Sequence, residues 1–227
     1  MATALLSMTS CLYENALVFN CYAMCDVRGS LLISDLGVTY HITENKTEGD
    51  VIGLERAYIN FDVLSEVNEN ECNIRLRSYY EATKMDCLHK SRIESDEALG
   101  NDPISLTNGW FSGENFNACL QMIFKKGSTT KHIVNMVFDN EKSTQDTAFF
   151  HLRHNSFGEN YGTGDTYASD SYISFPVMEE LQSLAGDRDE IVFCIDWKWY
   201  LTNEKGQPSD IRTFINAVPV TIYKGRD

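Results

Sequence analysis

The chain has 227 residues, with 33 Asp and Glu against 19 Lys and Arg, a formal charge of −14 at neutral pH. With 43% hydrophobic and 23% charged residues it is too apolar for a disordered chain and long enough to bury a core. The acidic balance argues against a nucleic-acid-binding surface, which needs clustered Lys and Arg, and no apolar run approaches the roughly 18 residues of a membrane span.

The N-terminal residues carry no positive charge before Arg28, and Leu5-Leu6 is cut short by Ser7. A secretory segment needs a basic start and about 7–15 continuous apolar residues. Residues 1–15 are therefore expected to form a helical arm of the mature chain, with Leu5, Leu6, Met8 and Leu12 docking on a neighbour. From Ala16 to Cys25 the chain is apolar and aromatic. Turns at Asp26-Val-Arg-Gly29 and Asp35-Leu-Gly37 separate it from Ser30-Leu-Leu-Ile-Ser34 and from Val38 to Thr43, where Val38, Tyr40 and Ile42 alternate. Three such runs with glycine punctuation read as a β-meander. Asp50 to Leu64 fits either a helical stripe (Val51, Leu54, Tyr58) or a strand (Tyr58 to Val63), and Cys72 to Tyr80 alternates again. Residues 84–117 show no clear period and read as a long excursion from the body.

Strand signals resume at Cys119 to Phe124 and Lys131 to Phe138, joined by a hairpin-like Lys125 to Thr130, and continue at 147–152, 171–175, 191–201 and 213–223. Pro176 to Ala185 is the strongest helix: proline near its start, Glu179 and Glu180 in the first turn, Gly186 at its end. Crossover spacing of the βαβ kind is missing, so the expected fold is mainly β: one domain over 1–227, a β-sandwich body from residue 16 with an N-terminal helical arm and a few short helices.

Few residues advertise chemistry. Seven cysteines lie without a C-x-x-C pair, several in apolar runs, which suits buried free thiols in a reducing compartment and an unused sequon at Asn45-Lys46-Thr47. His151 and His154 have a spacing that could share a metal on a helix, but on a strand they face opposite sides. No cysteine or histidine sits in a recognisable nucleophile context. Gly158 to Asp165 lacks the Lys-Ser/Thr of a P-loop. Lys125, Lys126, Lys131 and His132 form the one compact basic group, best read as a solvated hairpin tip. The expectation is no enzyme, with no catalytic, cofactor or metal site. Trp110-Phe111 and the pair Trp197 and Trp199 leave open an alternative: a β-sandwich module binding carbohydrate or another ligand.

The order of elements from Leu17 to Thr43, with Cys21-Tyr22-Ala23, Gly29-Ser30 and Leu31 to Ser34, resembles the early hairpin of cypovirus polyhedrin; weaker echoes are Gly109-Trp-Phe and Ile191 to Tyr200. The resemblance implies a non-enzymatic protein that assembles as homotrimers into crystals embedding virus particles in the host-cell cytoplasm. It further implies that residues 1–15 clamp neighbouring trimers and that alkali dissolves the lattice. The 11 Tyr and 7 Cys available for ionisation above about pH 10 suit such a switch. Polyhedra of that family are associated with nucleotides, but no motif here matches such a site.

Overall fold

The computed structural model describes residues 18–93, 95–162, 164–205 and 207–222. The expected meander is present as β1 (Val18–Arg28), β2 (Leu31–Ser34) and β3 (Thr39–Asn45), followed by two long strands, β4 (Arg56–Asn68) and β5 (Glu71–Lys84). β1 also pairs with β4, β4 with β5, and β5 returns to run parallel with β3. The ring β1-β2-β3-β5-β4 is thereby closed, a five-stranded barrel of the OB type. Cys25, Leu32, Ile59, Phe61, Ile74 and Leu76 fill it. The ambiguous segment resolves as strand because its inward residues, Ala57, Ile59, Phe61 and Val63, recur at period 2, which only a strand can bury on one side.

The rest of the described chain contains β6 (Cys87–His89), a 3-10 turn (Lys90–Arg92), α1 (Asp96–Leu99), β7 (Ser105–Ser112), β8 (Asn115–Lys125), β9 (Ile133–Phe138) and β10 (Thr147–Asn155). It continues with β11 (Thr166–Pro176), α2 (Met178–Ala185), β12 (Glu190–Thr202) and β13 (Pro208–Thr221). β11, β8 and β7 extend the barrel wall through β5 into an eight-stranded sheet; β13-β12-β10-β9-β6 form a second sheet. Their facing sides share one core, with Phe116, Leu120, Met136, Phe150, Phe175 and Phe193 among its members, and α2 closes it with Leu181 and Ala185.

The mainly-β, two-sheet expectation therefore holds. The arm at residues 1–15, with Leu5, Leu6, Met8 and Leu12, lies outside the described residues. Residues 84–117 are not an excursion: they hold β6, α1, β7 and the start of β8. Their apolar period is hidden because β7 exposes Thr107, Asn108 and Gly109 in succession and breaks register between Leu106 and Asn108.

A buried polar network fastens barrel to sandwich. Arg56, 2% exposed, donates to Asp26, to Asp35 (2.5 Å) and to Ser174 Oγ (2.8 Å). Asp35 also accepts from Ser112 (2.5 Å), Asn115 (3.1 Å) and Asn117 (3.1 Å). Gly113, at φ +54°, brings the β7–β8 turn against this loop; a Cβ there would lie 2.3 Å from the Asp35 carbonyl oxygen.

Candidate interaction face

Along β4 the side chains between the barrel-filling residues, Tyr58 and Asn60 among them, point away from the barrel. The same alternation puts Tyr22 of β1, Tyr80 of β5, Tyr172 of β11 and Trp110 of β7 on that outer face. Three strands separate β4 from β7 in the sheet, so a flat sheet would hold them roughly 19 Å apart. Instead the ring centroids of Tyr58 and Trp110 are 5.2 Å apart. The sheet is curled into a trough, held curled by the Arg56–Asp35 network at one end.

Within the trough the rings pack on one another. Tyr22 stacks on Tyr58 at 5.8 Å and 19°, Tyr58 on Tyr172 at 4.8 Å and 20°, and Tyr172 meets Tyr80 at 5.1 Å. Tyr58, Tyr172 and Trp110 are half-buried, whereas Tyr22 and Tyr80 are 56% and 55% exposed. Burial, then the neighbouring Cys119 and its hydrogen bond, pushes the Tyr172 phenol well above its ordinary value; burial and Tyr22 raise Tyr58. These two central phenols stay neutral through the physiological range, so the floor of the trough is uncharged but rich in ring surface. Asp170, two residues from Tyr172 and on the same face, is exposed and accepts from Gln121 (3.3 Å).

His132, His151 and His154 are engaged by the structure around them. His151 and His154 lie on strand β10 and separate as the strand period requires. His151 Nδ1 lies 2.8 Å from Asp196 and Nε2 3.0 Å from Asp139, so both nitrogens donate to carboxylates. The Asp196 hydrogen bond, outweighing burial, raises the His151 pKa, and Asp139 is held down to about 2 by His151 and Lys90 against its burial. His154 is pushed down to about 4 by burial; its Nδ1 faces the Pro103 carbonyl (2.9 Å) and its Nε2 faces His132 (3.1 Å). His132, 3.4 Å from Glu159 and stacked on Phe124, lines no free site. Glu159 is depressed to about 2, first by the Lys125 amide. Lys125 and Lys126 border a polar cleft of about 390 Å³ with Gly158 and Glu159. Among the described residues no group of three or more His, Cys, Asp and Glu is placed to hold a metal. The described cysteines are free, and burial drives the Cys87 thiol to about 12 and Cys25 higher still, which removes them as nucleophiles.

The three tryptophans do not assemble. Trp110 joins the trough, Trp197 stacks on Phe214 (5.9 Å), and Trp199 meets Tyr161 and Tyr200. The tyrosines that complete the trough escaped the sequence reading because they come from four strands spread over 150 residues; the available signal was a Tyr at an outward position of each strand.

Residues 87–206, which are 120 of the 227, match the family of NigD-like C-terminal β-sandwich domains. The chain belongs to this NigD-like family. A search among curated proteins finds no significant match. Solved structures of similar shape include a protein of unknown function from Bacteroides vulgatus (18% identity, TM-score 0.58, covering 93% of this chain and 96% of that one). A NigD-like immunity protein from Bacteroides caccae is similar as well (19%, 0.55, 92% and 93%), as is an inferred lipoprotein from Bacteroides fragilis (11%, 0.58, 91% and 99%). At these identities the likeness is one of fold, and it extends over barrel and sandwich alike.

NigD-like membership overturns the polyhedrin resemblance, and with it the homotrimer lattice, the embedded virus particles and the location in cytoplasmic occlusion bodies. The segment that suggested them is β1 to β3 of the barrel, and alternating apolar residues between glycine turns are what any meander of this length requires.

Proposed function

We propose that this NigD-like protein is a non-enzymatic binding module that captures a protein partner on the aromatic trough, as an immunity protein captures its toxin. The observation that carries the reading is the continuous ring surface of Tyr22, Tyr58, Tyr80, Tyr172 and Trp110, drawn from five strands. Tyrosine and tryptophan dominate the energetic centres of protein interfaces because they offer large rigid area with a polar tip. A sugar needs free ring faces, and Tyr58 and Tyr172, the central rings, are packed against their neighbours. What remains is ring edge, hydroxyl and the outer faces of Tyr22 and Tyr80, a surface that suits side-chain packing. The charge of −14 favours a basic partner and speeds its encounter. His151 and His154 are held in hydrogen bonds and burial raises the Cys25 and Cys87 thiols, which favours a non-enzymatic reading. The solved structures named for an immunity protein and a lipoprotein support a place in the bacterial cell envelope.

The test is capture from Bacteroidales envelope extracts with the wild-type protein and with Tyr22→Ser/Tyr80→Ser. Both side chains are exposed, so the variant keeps its fold. A protein retained by the wild type, lost by the variant and released at high salt is the expected result. Identical retention by both proteins refutes the site, and retention of a polysaccharide alone refutes the partner class.

A further inference from the structure

β13 is an edge of the second sheet, with β12 its partner among the described residues. The Ile222 amide donates to Asp189 O (2.8 Å), which fixes the alternation of this antiparallel ladder. Along the unbroken register from Thr221 back to Ile211, even-numbered residues exchange hydrogen bonds with β12. Ile211, Thr213, Ile215 and Ala217 turn their N–H and C=O groups to the open side. Pro219 has the same parity, so its missing donor falls on the open side as well. The register shift between Tyr200 and Thr202 resets the count, and Asn203 N–H to Gln207 O (2.8 Å) places Pro208 outward too. The open edge is thus a row of four amides closed at each end by a proline.

Little of the usual edge protection falls inside that row, where Arg212 is the one charged side chain. No lysine or bulge interrupts it, Ile211 and Ile215 are 50% and 68% exposed, and one Asp and one Arg leave the strand neutral in a chain of charge −14. We infer that β13 pairs with β13 of a second copy, antiparallel about a two-fold axis at Phe214, the midpoint of the row. Ile211 then faces Ala217 of the other copy and Thr213 faces Ile215, each pair exchanging two hydrogen bonds. Phe214 meets its own counterpart at a non-hydrogen-bonded position, where side chains approach most closely, and carries the Trp197–Phe214 stack across the axis. The row is self-complementary, and the neutral strand is where two acidic chains meet without local repulsion. The interface is isologous and the flanking prolines stop it from extending, so assembly ends at two copies and builds no lattice. It lies on the other sheet from the trough and does not depend on the partner proposed there.

Sedimentation equilibrium of the full chain tests this. Wild type is expected to dimerise reversibly. Thr213→Pro removes an outward donor and none that serves β12, so the dimer should weaken roughly 30-fold, from two lost hydrogen bonds, while thermal unfolding at low concentration is unchanged. Should that variant fail to fold, Ile215→Lys places a charge on the same edge. Phe214→Cys should oxidise to a 214–214 linked dimer, whereas Ile211→Cys, opposite Ala217, should not link to itself. A wild type that is monomeric at every concentration overturns the inference. So does a dimer indifferent to Thr213→Pro, or one that forms only after residues 1–17 are deleted.

Discussion

Replacing Asp35 by alanine tests the claim that the buried network holds the barrel on the sandwich. The Asp35 side chain is 4% exposed and takes hydrogen bonds from Arg56, Ser112, Asn115 and Asn117. Without it, Arg56 keeps Ser174 and the half-exposed Asp26, but most of its charge stays buried without compensation. Breaking one side of a buried pair costs about 3–5 kcal/mol, which for a chain of this size lowers the melting temperature by about 6–20 °C. Urea and thermal unfolding measure the loss. Trp110 should report it as well, because the network keeps β7 curled against β4 and so keeps Trp110 on Tyr58. A companion variant, Asp35→Leu with Arg56→Met, removes both charges and should recover much of the stability, since apolar replacement of a whole buried pair is often neutral. A loss below about 1 kcal/mol in Asp35→Ala, or a double variant no better than the single, would show that the network does not secure the junction.

The two buried histidines give opposite pH responses. His151 has a raised pKa, so its contribution is complete below the unfolded value of about 6.5 and fades as pH rises through the folded one. The stability gap between wild type and His151→Gln, measured by urea unfolding, should therefore narrow from pH 6 to pH 9. His154, depressed to about 4, contributes above pH 6.5 and loses that contribution as pH falls toward 4, so His154→Asn should flatten the acid limb in that window. An unchanged acid limb would mean that the ring is not held neutral by burial. Trp110→Ala should reduce partner capture more than Trp199→Ala, because only Trp110 contacts the trough tyrosines; equal losses in a binding assay would remove the trough from the site.

Local signals of this sequence were legible and long-range ones were not. The meander and the helix ended by Gly186 depend on residues within a few positions of one another, and each forms where its pattern places it; the hairpin expected over Lys125 to Thr130 does not form, because the strands it joins, β8 and β9, belong to different sheets. The parallel pairs β3–β5, β5–β11, β6–β9 and β10–β12 join segments far apart in the chain and leave no periodic trace. Those pairings close the barrel, curl the larger sheet and bring Trp110 onto Tyr58, so the candidate site is a product of the least readable part of the fold. A glycine-punctuated meander is a solution many β proteins share, and it carries little information about which family is present. Specificity here resides instead in outward-facing residues. A tyrosine at an outward position of β1, β4, β5 and β11 contributes nothing to the core, yet the four are placed in mutual contact. Surface rings cost solubility when nothing covers them, and the five aromatic rings gathered in one trough are the feature on which the proposed partner site rests.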